Sequence, residues 1–195
     1  MHTITTVLLG LGYFGIGITL FFESGVFLFF LPGDTLLLSA GIYASQGTLS
    51  FIPLVLTAII ASALGAMTGF HIGKKFTHGK LQTTFFTPAQ IKKTEDFFAR
   101  FGGYAILLNK FIPIVRTIAP MLAGASNMKE KVFNKNNILG SCLWVLTITS
   151  FGFFAGTMFP HIEKYVSVVL ASVIIVSFVL FGINYYKNKR FKTVV

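Results

Sequence analysis

The amino-acid sequence predicts an all-α polytopic membrane protein, with about four membrane-spanning helices and two re-entrant hairpins entering from opposite faces. Three observations predict it. Of the 195 residues 54% are hydrophobic and only 11% are charged, a balance that leaves no polar region large enough for a soluble module. Four stretches, Ile4–Phe22, Phe51–Ile72, Ile138–Met158 and Tyr165–Tyr186, approach the roughly 20 apolar residues that a span requires. Two more, 24–46 and 101–125, are long enough but are interrupted by proline, glycine and charge. One membrane domain, 1–195, accounts for the chain.

The first span, Ile4–Phe22, is expected to remain as a membrane helix. No Lys or Arg precedes it, and Phe22-Glu23-Ser24-Gly25 is a poor small-residue cleavage site for a signal peptide. The next stretch holds Phe30-Leu31-Pro32-Gly33-Asp34-Thr35, and Asp34 is the only formal charge between Ser24 and Gly73. The following span carries Gly65, Gly69 and Gly73. Their spacing of four places them on one helix face, where a neighbouring helix can approach closely. Gly152 and Gly156 do the same in the later span.

Basic residues set the topology. Residues 74–100 carry Lys74, Lys75, Lys80, Lys92, Lys93 and Arg100, residues 126–137 carry Lys129, Lys131 and Lys135, and the tail carries Lys187, Lys189, Arg190 and Lys192. The connections near 43–50 and 159–164 are almost uncharged. The positive-inside rule places all three basic regions in the cytoplasm, and both termini with them. The net charge of +10 is thereby assigned to topology, and no basic stripe with interleaved aromatics points to nucleic acid. If 101–125 crossed the membrane fully, its flanking basic regions would lie on opposite sides. It is therefore predicted to enter and leave by the cytoplasmic face, shaped by Pro113 and Pro120, each of which removes a backbone donor. Within the basic connection, Thr87-Pro88-Ala89-Gln90 reads as the start of an interfacial helix.

The two broken stretches resemble each other. Pro32-Gly33-Asp34-Thr35 followed by Ala40-Gly41 echoes Pro113 to Thr117 followed by Ala123-Gly124, although the proline-to-charge spacing differs by one residue. Two such hairpins from opposite faces would form an inverted repeat, with its site at the midplane. An ionisable group at membrane depth costs a few kcal/mol or more and marks a place where something polar binds or crosses. Opposite charges in the two stretches, Asp34 against Lys110 and Arg116, point to a transport site. The single Cys142 permits no intrachain disulfide. His71 and His161 fall at opposite span ends, and no metal-ligand spacing, nucleophile motif or phosphate loop is present. Neither a cofactor nor an enzyme is expected.

At these residues the sequence resembles the DedA family of membrane proteins, which share the VTT (SNARE-associated) domain. The resemblance runs from about residue 20 to 158. It rests on Phe22-Glu23-Ser24-Gly25, Leu31-Pro32-Gly33-Asp34-Thr35-Leu36-Leu37 with Ala40-Gly41, and Phe98-Ala99-Arg100-Phe101-Gly102. It continues through Lys110-Phe111-Ile112-Pro113 with Arg116, Ala123-Gly124, Met128, Phe133, Asn137, Gly140 and Trp144. The resemblance implies a bacterial cytoplasmic-membrane protein that moves a phosphorylated lipid between leaflets, above all undecaprenyl phosphate, with phospholipid as the other cargo class. It also implies that the acids Glu23 and Asp34 and the bases Arg100 and Arg116 matter.

On that reading Arg116, helped by Lys110 and Arg100, neutralises the phosphate, a guanidinium being able to bind it at two points. Arg116 is otherwise a counter-ion for Asp34, and Arg100 otherwise snorkels to headgroups. Glu23 and Asp34 either exchange a proton or pair with Arg116. Gly33, beside Pro32, lets the backbone break. Lys110 departs from the arginine usual in the family; it keeps the charge and loses the planar fork. Two other functions fit the sequence: a proton-coupled exporter of a small cation, and a non-transporting membrane assembly factor.

Overall fold

A computed structural model describes residues 12–25, 33–77, 96–98, 100–126 and 128–159. Secondary structure among them is helical: α1 (Gly12–Gly25), α2 (Gly33–Ser45), α3 (Phe51–Thr77), α4 (Tyr104–Asn109), α5 (Pro113–Ala125) and α6 (Glu130–Met158). The expected span Tyr165–Tyr186, the N-cap at Thr87 and Pro32 lie outside the described residues.

Among the described residues two helices are long and apolar enough to cross a membrane, α3 and α6. With 27 and 29 residues and a rise of about 1.5 Å per residue, each exceeds the roughly 30 Å hydrocarbon core. Both begin or end differently from the expected Phe51–Ile72 and Ile138–Met158. The α3 helix runs on through Lys74 and Lys75, which sit in its last turn, where positive charge is favourable. The α6 helix starts eight residues earlier, at Glu130, with an acid in its first turn. Its opening turns are polar, so hydropathy alone misplaces the boundary.

The 13-residue α2 and α5 reach only about 20 Å. The stretch 101–125 is broken as expected: α4 ends at Asn109, Ile112 is extended, and Pro113 opens α5. A residue before proline is pushed out of the helical region, and proline suits the first helical position because its missing N–H is not needed there. Pro120 does not break the chain. It lies buried inside a continuous α5, a placement that membrane helices tolerate when neighbours re-satisfy the freed backbone.

The packing crosses between the two halves. The α2 helix lies along α6, while α5 lies along α3; α1 also packs on α3, and α3 meets α6. Thus α2 and α5 each rest on the long helix of the other half. Glycine makes the close approaches, as its spacing predicted. A side chain at Gly65 would strike the backbone of Phe21, one at Gly73 the backbone of Met121, and one at Gly152 the backbone of Leu38.

The two ends of the bundle differ in charge. At one end His71 Nε2 and Lys74 Nζ approach Glu130 at 3.3 and 3.8 Å, joining the C-terminus of α3 to the N-terminus of α6. Lys75, Lys129 and Lys131 are exposed near these helix ends. At the other end Phe51 packs edge-on against Phe153, beside the uncharged turn 46–50.

Two apolar clusters fill the interior. One joins Ile16, Leu20, Leu36, Leu37, Leu54, Ala58 and Val145. The other joins Ala66, Phe70, Ile106, Ala123 and Phe133, with Phe70 and Phe133 stacked at 4.4 Å. Along α3 the clusters are separated by Ser62 and Ala63, and along α6 by Asn137 to Ser141. A polar layer therefore lies between them, near the middle of both long helices.

Candidate functional site

The polar layer draws one or two residues from each of five helices and one from the break after α4. Glu23 and Ser24 close α1, Asp34 opens α2, Ser62 lies on α3, Lys110 sits in the break after α4, Arg116 is in the first turns of α5, and Trp144 is on α6. Arg116 is the hub. Its Nη1 donates to Asp34 Oδ1 at 2.6 Å, and its Nη2 donates to Glu23 Oε1. Its guanidinium carbon also lies 4.6 Å from the centre of the Trp144 ring, within cation–π range. The indole Nε1 of Trp144 donates to the same Asp34 Oδ1, at 3.0 Å.

The acids differ in environment. The Glu23 side chain is 3% exposed and that of Asp34 is 39% exposed, against 6% for Arg116. Glu23 is held by the start of α2, where the Gly33 N–H donates to its Oε1 at 3.3 Å. A carboxylate at a helix N-terminus meets unpaired N–H groups and the positive end of the helix dipole. Gly33 is needed for this approach, because a Cβ there would overlap the Glu23 carboxylate. Gly33 thus has a steric role beside the backbone freedom expected of it from sequence: the approach of Glu23 needs the missing side chain.

Lys110 is as buried as the ion pair, 2% exposed. Its Nζ donates to Ser62 Oγ at 3.1 Å, and Ser62 Oγ lies 3.1 Å from Ser24 Oγ. No carboxylate lies within ion-pair distance of Lys110 among the described residues. Sequence reasoning ranked Arg116 ahead of Lys110 as an anion ligand. In this structure Arg116 is occupied by two carboxylates, and Lys110 is the buried cation that donates to a neutral hydroxyl.

Of the other expected residues, Arg100 stands apart from the cluster. It is exposed, and its guanidinium lies over the ring of Phe101 at 5.5 Å, so the structure leaves it at the surface while bringing Lys110 and Arg116 inside. His71 is likewise exposed, on Met67 O and Glu130. Residues that sequence reasoning gave no site role take part. Trp144, the only tryptophan of the chain, braces both Arg116 and Asp34. Ser62 accepts from Lys110 and is itself paired with Ser24, and the buried Asn137 donates to Ala63 O at 3.0 Å. The signal available for them was polarity inside an apolar helix.

This set of charges, held within a bundle whose long helices can span a bilayer, defines a membrane protein with an internal ionic site, and the comparisons give its family. The model of the VTT domain matches residues 31–154. The chain is 35% identical over 177 residues to Protein DedA of Escherichia coli strain K12, covering 88% of this chain and 80% of that protein. It is 32% identical over 172 residues to the Inner membrane protein YghB of the same strain, covering 86% and 78%. To the Uncharacterized membrane protein Rv0364 of Mycobacterium tuberculosis strain H37Rv it is 30% identical over 168 residues, covering 84% and 74%. No solved structure matches the chain at a significant level. The chain belongs to the DedA family of VTT-domain membrane proteins.

Proposed function

We propose that this protein translocates a phosphorylated lipid between membrane leaflets, with the polyprenyl carrier undecaprenyl phosphate as its cargo, and that protons drive or gate the step. The observation that carries the reading is the pair of buried cations, Arg116 and Lys110, of which Lys110 has no carboxylate within ion-pair distance among the described residues. A buried ammonium is costly unless a counter-charge reaches it, and a lipid phosphate supplies one while its hydrocarbon tail stays in the bilayer. An apolar groove of about 360 Å³ between α1 and α3, lined by Phe14, Ile18, Ile60 and Leu64, suits such a tail.

Charge balance gives the protons a role. Glu23, Asp34, Arg116 and Lys110 sum to zero when all are ionised. A phosphate adds negative charge, and a proton taken up by Glu23 or Asp34 offsets it. Neutralising either acid also releases one arm of Arg116, which then turns its fork to the phosphate. Export of a small cation is the less favoured reading, because Arg116 already occupies both acids.

In this reading α2 and α5 are the inner halves of two re-entrant hairpins related as an inverted repeat. The basic end of the bundle and both termini face the cytoplasm of a bacterial cell. The short length of α2 and α5 and their crossed packing on the opposite long helix support that arrangement.

The test is reconstitution of the purified protein in liposomes with labelled polyprenyl phosphate and, separately, labelled polyprenol. Leaflet exchange of the phosphate alone, accelerated by a pH gradient, is expected. Exchange of neither lipid would remove the proposal, and equal exchange of both would remove the role of the cations.

A further inference from the structure

Near their contact, α4 and α6 carry buried polar atoms that the charge cluster does not use. Ile106, Asn109 and Lys110 are buried at spacings of three and four, so they share one helix face. That face packs on α6. Gly140 marks the crossing: a Cβ there would lie 2.9 Å from Leu107 O and 3.2 Å from Lys110 Cγ. The stem of Lys110 therefore passes α6 between Asn137 and Ser141, one helical turn apart.

Around this crossing hydrogen-bonding capacity is left over. Asn109 is 3% exposed, and neither its Nδ2 nor its Oδ1 has a hydrogen-bond partner. Asn137 Oδ1 and Ser141 Oγ, both in fully buried residues, are also unpartnered. Folded proteins pair nearly all such atoms, because an unmade bond away from water is costly. Four of them beside a buried ammonium mark a place for a ligand rather than a packing surface.

We propose that Asn109, Asn137 and Ser141 form, with Lys110, a pocket that recognises a phosphate monoester and discriminates it from a diester. The inference rests on the lipid-phosphate reading and adds headgroup selectivity to it. Lys110 Nζ, Asn109 Nδ2 and the Ser141 hydroxyl donate to phosphate oxygens. The two amide oxygens, Asn109 Oδ1 and Asn137 Oδ1, need a donor in return. A monoester in its singly protonated form supplies one such donor, the P–OH, which one of the two oxygens accepts; with a second ionisation near pH 6 this form is about a tenth of the total at pH 7 and dominates below pH 6. A phosphodiester has no P–OH and would set its own oxygens against those carbonyls. Arg116 takes no part in this selection, because once released from an acid it would grip the oxygens of either phosphate alike.

The experiment uses the full chain in lipid nanodiscs and three probes: farnesyl phosphate, its methyl diester, and farnesol. The expected result is at least tenfold tighter binding of the monoester than of the diester. Asn109→Leu should bring the monoester down to the level of the diester, leave the diester within twofold, and not lower the melting temperature. Asn137→Ala, which removes the other acceptor oxygen, should weaken the monoester alone, and it tests the pocket independently if Asn109→Leu does not fold. Equal binding of both phosphates by the unaltered protein, or an equal loss of both in the variants, would overturn the selectivity pocket and leave the lipid-phosphate reading standing. Failure of both phosphates to bind better than farnesol would overturn the two together.

Discussion

Trp144 donates its indole N–H to Asp34 Oδ1, the same oxygen that Arg116 grips, and the indole ring lies beneath the Arg116 guanidinium. One side chain on α6 thus fixes both members of an ion pair formed by α2 and α5. A hydrogen bond to a charged group contributes about 1.5–3 kcal/mol, and a desolvated cation–π contact about 2. Trp144→Phe, which keeps a ring and loses the donor, should lower the stability to unfolding in detergent by about 1.5–3 kcal/mol. Trp144→Leu should lower it further. Equal losses in the two variants would show that the ring contributes nothing to holding Arg116.

The burial of Glu23 and the half-exposure of Asp34 predict unequal dependence on the ion pair. Arg116→Gln leaves two carboxylates without their cation and should cost about 3–5 kcal/mol, the usual penalty for orphaning a buried charge. Adding Glu23→Gln to Arg116→Gln should recover most of that loss, because it removes the buried orphan. Adding Asp34→Asn instead should recover less, since water already screens that carboxylate. Chemical denaturation of the single and double variants measures these couplings. Larger rescue by Asp34→Asn would reverse the assignment of Glu23 as the buried partner.

Gly33 offers a sharper test of the Glu23 position. A methyl group there overlaps the carboxylate, so Gly33→Ala should destabilise the protein by about 1–3 kcal/mol, as overpacking does. In a Glu23→Ala background the same substitution should cost almost nothing, because the clashing atoms are gone. A cost that persists in that background would mean that the backbone of Gly33, not the space beside it, is what matters.

Topology follows from the charge difference between the two ends of the bundle. After Cys142→Ser, a cysteine placed at Lys131 should resist an impermeant reagent added to intact cells, and one at Gln46 should react. Both positions are exposed. Reaction at position 131 from outside would invert the protein and remove the cytoplasmic opening of the 101–125 stretch.

Much of this architecture is legible in the residue order. The α3 and α6 spans follow from hydropathy, because a bilayer leaves apolar length as the main constraint on a crossing helix. The break before α5 follows from Ile112-Pro113, a local steric effect. The close packing of α3 follows from Gly65, Gly69 and Gly73, since a spacing of four is a fixed property of the helix. The charges Glu23, Asp34, Lys110 and Arg116 stand out because charge in an apolar run is conspicuous by itself.

The pairing of those charges is a different matter. Arg116 meets an acid 93 residues away and another 82 residues away, contacts that depend on α5 lying along α3 and α2 along α6. Nothing local to either segment specifies that crossing; it is decided by how glycine-lined helix faces fit. The same fit leaves Arg100 outside, keeps Pro120 within an unbroken helix, gives Gly33 a steric purpose, and places Trp144 and Ser62 beside charges far from them in sequence. Sequence alone determined which segments are apolar, where they break and which charges they carry, because those properties reside in single residues and their near neighbours. Only the tertiary structure decided which charge meets which, because that depends on distances between helices that no single segment encodes.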